Sequence, residues 1–277
     1  MARDQRGNRA PNRLPAGTFC EITFARAATT AVAFASLIDE ECNLSLGIIE
    51  LHDSPNSANC DGQGCIISLI EVALPAGTRV PQDAIALIAE ADRRIEQLWD
   101  QHVIPAFVPS DFELVYLALQ GIADHGLATG ERFCEWGSGI GANVCLAAML
   151  GFEAAGIEIE PLLVAAAREL AHDFDLSAEF IQGSFVPADS HACLDAGETF
   201  AWLSFQSGQC PEHAGFGPAD VDVFFCYPWT DEESLIPALF DRHAGVGALL
   251  LTYRGGDDLL LRRKVSSTRR KKMRSRR

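Results

Sequence analysis

Arg-Phe-Cys-Glu-Trp-Gly-Ser-Gly-Ile-Gly, residues 132–141, decides how the rest of the chain is read. A short apolar run with β-favouring residues enters three glycines at alternate positions, and Ala-Asn-Val-Cys-Leu-Ala-Ala-Met-Leu follows at once as a helix over residues 140–150. Glycines at such a corner allow the tight turn and let a ligand approach the backbone, and they leave a helix N-terminus facing an anion. A second strand is expected over residues 154–159. It carries Glu158, about 20 residues past the first glycine, where a carboxylate accepts hydrogen bonds from ribose hydroxyls. A nucleoside-containing ligand is implied. Glu135, two positions before the first glycine, would crowd a pyrophosphate but suits an ammonium group.

Working outward from this core, strands and helices alternate. Ser110 and Glu113 read as a capping box opening a helix that stops near Gly126. Pro161 suits the first turn of a helix running to about Phe174. Further strands are expected at residues 179–181, 221–226 and 248–253, a helix at 232–243, and one last strand at 259–265. Short apolar strands alternating with helices predict a parallel sheet covered on both faces. Upstream, residues 82–102 have helical spacing (Ile85, Ile88, Ile95, Leu98, Trp99), so residues 81–109 read as a linking helix. Apolar runs at 19–24, 31–38, 46–51 and 65–74 read as a small α+β attachment over residues 14–80, with a hairpin between the last two. Residues 1–13 read as a disordered tail.

The net charge of −16 is unevenly spread: ten of the 22 Lys and Arg lie in residues 262–277, and residues 14–261 hold no lysine and eight arginines. An acidic body repels phosphate backbones and favours cationic partners, so nucleic acid is expected to touch the chain only through the basic C-terminus. That run, from Arg262 onward, reads as a solvated arm, with the domain ending at residue 265 and a disordered tail over 266–277. Nine cysteines without a CxxC pair suggest neither a zinc ribbon nor a disulfide framework, and a reducing cytoplasmic setting follows. Cys134 and Cys226 read as buried thiols. No metal ligand set is spaced along the chain. The apolar run at 27–38 is too short for a membrane span.

Glu135-Trp136-Gly137-Ser138-Gly139-Ile140-Gly141, together with Gly156-Ile157-Glu158-Ile159-Glu160-Pro161, resembles the first two motifs of the class I S-adenosylmethionine-dependent methyltransferases, over residues 107–265. The resemblance implies a Rossmann-like class I methyltransferase α/β sandwich, here with shortened C-terminal strands, and S-adenosyl-L-methionine as cofactor. It implies that Glu158 holds the ribose, and that the Gly137, Ser138, Gly139 and Gly141 loop and Glu135 hold the methionine part. Two departures matter. After the third strand, Gly183-Ser184-Phe185 lacks the acidic residue often found beside the adenine, which shifts that role to Ser184 and Phe185. After the fourth, Cys226-Tyr227-Pro228-Trp229 lacks the Asn/Asp-Pro-Pro-aromatic run of enzymes acting on planar nitrogens. Phe107-Val108-Pro109-Ser110 further resembles the lysine methyltransferases of ATP synthase subunit c and the adenine nucleotide carrier. A lysine-bearing protein substrate is the implied acceptor, with Tyr227 and Trp229 around its ammonium and Asp231 nearby to favour deprotonation. The glycine run alone also fits an NAD-dependent oxidoreductase through Ala142, or a non-catalytic cofactor-binding or interaction module.

Overall fold

The computed structural model describes residues 65–102, 104, 107–186, 217–229 and 232–268, all within the larger of two compact units, residues 48–277. The expected tail 1–13, the elements expected over residues 18–51, Asp231 and residues 269–277 lie outside the described residues.

Seven strands form one sheet: β1 (Cys65–Glu71), β2 (Arg132–Trp136), β3 (Glu153–Glu158), β4 (Ala178–Gln182), β5 (Val223–Cys226), β6 (Leu249–Tyr253) and β7 (Leu259–Thr268). Their order is β1-β7-β6-β5-β2-β3-β4. The five strands from β2 to β6 are parallel. Their order is third, second, first, fourth, fifth, the doubly wound arrangement, whose crevice opens where the order reverses, between β2 and β5. The fold is the Rossmann-like α/β sandwich expected from the sequence.

Alternation along the strands sorts side chains between two cores. Phe133, Val223, Phe225, Leu249 and Leu251 face α1 (Gln82–Gln101), α2 (Phe112–Asp124), α3 (Ala142–Met149) and α4 (Pro161–Asp173). Cys134, Trp136, Phe224, Cys226 and Leu250 face α5 (Leu235–His243). The period of two therefore sends Glu135 to the side of Phe133, beneath α3, and Trp136 to the opposite face.

Four expectations change. Residues 65–71 belong to no separate attachment: β1 runs antiparallel to β7 with Cys65 opposite Thr268 and Glu71 opposite Arg262. Val72 N–H continues the pairing to Leu261 O at 2.9 Å. The linking helix is α1, and it is no mere linker, because Ala84, Leu87, Ala91 and Ile95 bury in the same core as α2 and α3. The cap of α2 is Asp111, whose carboxylate accepts Leu114 N–H at 2.9 Å. A charged acceptor one residue nearer the helix displaces the expected Ser110, and its negative charge favours the N-terminal end of the dipole.

The basic run also starts later than expected. β7 extends to Thr268, and Lys264 is only 4% exposed. Its Nζ donates to Asp241 O at 2.5 Å and Ala244 O at 2.6 Å, closing the carbonyl end of α5. Arg263 donates to Leu127 O and Gly247 O at 2.7 and 3.2 Å. Among the described residues no helix is long and apolar enough to cross a membrane.

Candidate active site

A cleft of about 520 Å³ opens at the carboxyl ends of β2, β3 and β5, where the doubly wound order places it. One wall is the turn from β2 into α3. Gly137 and Ser138 donate their N–H groups to Ile157 O at 2.9 and 3.0 Å, and Gly141 donates to Ser138 O at 2.8 Å. Gly137, Ser138 and Gly139 border the cleft, with the Phe107 ring over Gly139, where an added Cβ would lie 2.7 Å from it. Ser138 turns its side chain onto β3. A Cβ at Gly156 would come 2.7 Å from its Oγ, so the glycine in β3 makes room for the serine.

Gly141, expected in the cofactor site, does not border the cleft. Its φ of 76° is left-handed, and an added Cβ would lie 2.4 Å from Phe180 and 2.8 Å from Ala167. It is glycine because α3 starts there, packed tightly against the sheet and α4.

Glu135 borders the cleft but is 4% exposed. Oε1 accepts Asn143 Nδ2 at 2.8 Å, while Oε2 is buried with no partner. Burial, and then the neighbouring Glu158 charge, push its carboxyl up to about 8 against the hydrogen bond from Asn143 and the weaker pull of the Val144 backbone N–H. Asn143 also donates to Ser110 Oγ at 3.0 Å, and its Oδ1 is buried without a partner.

Glu158 is 9% exposed, and each of its oxygens accepts a backbone N–H: Oε2 from Gly139 and Oε1 from Glu160, both at 2.9 Å. Burial raises its carboxyl above the usual range, and the backbone bonds pull the other way. The residue expected to hold a ribose thus also fastens the glycine loop to β3. An ionised carboxylate has about four lone-pair sites, so each oxygen keeps acceptor capacity toward the cleft.

Phe185 borders the cleft and stacks on Trp136 at 5.5 Å with 10° between the planes. Ser184 does not border it. Its Oγ accepts Val186 N–H at 3.2 Å, because a short hydroxyl satisfies its own turn first.

The opposite wall is the end of β5. Tyr227 packs edge-on against Tyr253 at 4.7 Å, and Trp229 leaves 39% of its surface exposed at the cleft edge. Glu232 and Glu233 border the cleft beside them. Glu232 closes a turn on Trp229: its N–H donates to Trp229 O at 2.8 Å, and its Oε2 accepts Trp229 N–H at 3.2 Å. Among the described residues the carboxylates on this wall are Glu232 and Glu233, next in the chain after Asp231, which lies outside the described residues. Arg254 also reaches the cleft and pairs with Asp258 at 2.8 Å. Cys226 is buried and its thiol is pushed up to about 12, chiefly by burial, so it is no nucleophile.

Sequence reading missed Asn143, Ser110, Glu232 and Glu233 as cleft residues. For Asn143 there was a signal, the lone amide in an otherwise apolar helix. Ser110 was hidden because it is also a good cap residue.

No protein-family model matches the chain, and no curated protein matches it. Among solved structures it is similar to an RNA methyltransferase from Salinibacter ruber in complex with S-adenosyl-L-homocysteine, at 22% identity over 57% of this chain and 94% of that one, with a TM-score of 0.40. A methyltransferase from Geobacter sulfurreducens is 16% identical over 68% of this chain and 92% of that one, with a TM-score of 0.40. An S-adenosylmethionine-dependent methyltransferase from Thiobacillus denitrificans, also in complex with S-adenosyl-L-homocysteine, is 20% identical over 63% and 56%, with a TM-score of 0.33.

Proposed function

We propose that the chain is an S-adenosylmethionine-dependent methyltransferase acting on a protein lysine in the reducing cytoplasm. The observation that carries the cofactor reading is Glu135: a carboxylate 4% exposed, beside a glycine turn, with one oxygen lacking any donor. A buried unpartnered carboxylate oxygen is costly, and a cationic group at that end of the ligand offsets the cost. A pyrophosphate there would hold Glu135 protonated and gain no charge attraction from it, which disfavours a dinucleotide. The cofactor would supply a methyl group activated on a sulfonium.

The residues present fit such a ligand. Glu158 keeps acceptor capacity for ribose hydroxyls, Phe185 offers a ring for the adenine, and the backbone at Gly137 and Gly139 allows close approach. The β5 wall would seat the acceptor. Trp229 and Tyr227 give aromatic faces that attract an ammonium, and Glu232 and Glu233 add negative charge. A lysine with a pKa near 10.4 must lose its proton before attack. The apolar mouth disfavours the charged form, and Glu232 is a nearby carboxylate that can receive the proton. The protein otherwise holds the acceptor aligned and dry.

S-adenosylhomocysteine should raise the melting temperature by mass action, and Glu158→Ala should remove most of that rise. Stabilisation by NAD instead would reject the cofactor reading. Label from methyl-labelled cofactor should enter lysate protein, survive nuclease and vanish when lysines are chemically blocked. Label in RNA would reject the lysine acceptor and leave the methyltransferase reading standing. Binding without any transfer would favour the non-catalytic module.

A further inference from the structure

Asn143 lies in the first turn of α3 and is 4% exposed. Both donors of its amide have acceptors: Nδ2 reaches Glu135 Oε1 at 2.8 Å and Ser110 Oγ at 3.0 Å. With Glu135 ionised, the form a bound cation would hold, this orients the amide, since its nitrogen end and not its oxygen end suits a carboxylate acceptor. The consequence is a pair of stranded acceptors. Glu135 Oε2 and Asn143 Oδ1 are both buried without a partner, on two side chains already joined by a hydrogen bond, and both residues border the cleft. Stranding a buried acceptor costs roughly 1–3 kcal/mol, and more when it is charged. A ligand hydroxyl has one hydrogen and can satisfy one of the two. A primary ammonium has three.

We propose that Asn143 is a positioning residue for the ammonium end of the bound cofactor, holding Glu135 with one oxygen free and presenting its own Oδ1 as a second acceptor. The proposal rests on the cofactor reading above. Ser110 takes part at one remove. Freed from capping α2 by Asp111, it anchors the amide from the segment between α1 and α2, so the seat forms when residues 107–110 lie over the glycine turn.

The test compares two ligands on the full chain by calorimetry: S-adenosylhomocysteine, and 5′-methylthioadenosine, which keeps the nucleoside and thioether but has no amino-acid end. Asn143→Leu should weaken S-adenosylhomocysteine at least tenfold and leave 5′-methylthioadenosine unchanged. Ser110→Ala, which leaves the core and the α2 cap intact, should weaken the first ligand a few-fold and spare the second. Equal losses for both ligands, or no loss for either, would overturn the proposal by reducing Asn143 to a packing residue. Wild-type protein binding 5′-methylthioadenosine as tightly as S-adenosylhomocysteine would overturn the ammonium seat alone. Binding neither would overturn the cofactor reading and the seat together.

Discussion

On the β2–β3 wall of the cleft the polar side chains are buried and tied down, Glu158 to two backbone N–H groups and Glu135 to Asn143, whereas the β5 wall ends in a half-exposed indole and the exposed Glu233. The first wall is preorganised. Its groups are held before a ligand arrives, so a bound molecule is not charged the entropy of ordering them. The second is the more open and adaptable at Trp229 and Glu233, the edge where the proposed acceptor would arrive, while Glu232 is buried and tied to Trp229 N–H. A substitution should therefore act on folding and cofactor affinity at the first wall, and on acceptor affinity at the second.

The largest effect is expected where the first wall is tightest. Gly141→Val puts a β-branched residue at φ 76° with its Cβ inside contact distance of Phe180 and Ala167. Left-handed backbone costs about 1–2 kcal/mol and overpacking about 1–3 kcal/mol, so urea unfolding should show a loss of about 2–5 kcal/mol. Gly137 has the same φ but nothing within 4 Å of an added Cβ. Gly137→Ala should cost only about 1 kcal/mol of stability while weakening S-adenosylhomocysteine, because its methyl would occupy open space at the cleft. Equal stability losses in the two variants would mean that the turn is uniformly strained and that the contrast between packing glycine and ligand glycine is wrong.

The three glycines of the turn and the two buried glutamates stand out in the sequence because backbone geometry demands the first and the strand period fixes the face of the second, although Gly141 packs α3 against the sheet and does not border the cleft as expected. Glu135 sits on the same side of β2 as Phe133, and two-residue alternation alone puts it under α3. What could not be read is whatever depends on distant segments meeting. Nothing local tells that residues 65–71 complete the sheet beside β7, since strand pairing across nearly two hundred residues leaves no periodic mark. Likewise Ser110 satisfies the rule for a helix cap, and only the approach of Asn143, 33 residues away, turns it toward the cleft. The basic run misled for a related reason: composition marked Arg262, Arg263 and Lys264 as part of an arm, but long side chains can bury their stems and bond carbonyls at their tips, as Arg263 and Lys264 do.

A middle-sized effect is expected from pH. The Glu135 carboxyl stands at about 8 with no ligand, held up mainly by burial. For folding, the native state then binds a proton that the unfolded state releases near its ordinary value of 4.5. This contribution to stability is fully present below pH 4.5, declines as pH rises, and is lost above about 8. For ligand binding the sign is opposite. A fixed ammonium favours the ionised carboxylate, so S-adenosylhomocysteine affinity should rise from pH 6 to pH 8, by up to about tenfold per pH unit, with proton release. Calorimetry in buffers of different ionisation enthalpy counts that proton. Glu135→Gln should flatten the profile, and a profile that keeps its slope in the variant would assign the titration to another group.

The smallest effect belongs to the second wall, and it separates aromatic attraction from simple bulk. Trp229 has its backbone fixed by the turn to Glu232 while its ring stays 39% exposed, so substitution should disturb neither the fold nor the β2–β3 wall. A cation over an exposed indole gains about 0.5–1 kcal/mol, equivalent to a two- to fivefold change in affinity. Trp229→Leu keeps apolar volume but has no π face, and should raise the acceptor KM by about that factor with kcat and S-adenosylhomocysteine affinity unchanged. Trp229→Phe should recover part of the loss, since phenyl attracts a cation less strongly than indole. A leucine variant as good as the phenylalanine one would show that the ring serves as bulk, which would remove the strongest support for an ammonium-bearing acceptor. A drop in kcat with KM unchanged would show instead that Trp229 acts only once the acceptor is in line with the methyl group, so that the adaptable wall takes part in alignment as well as capture.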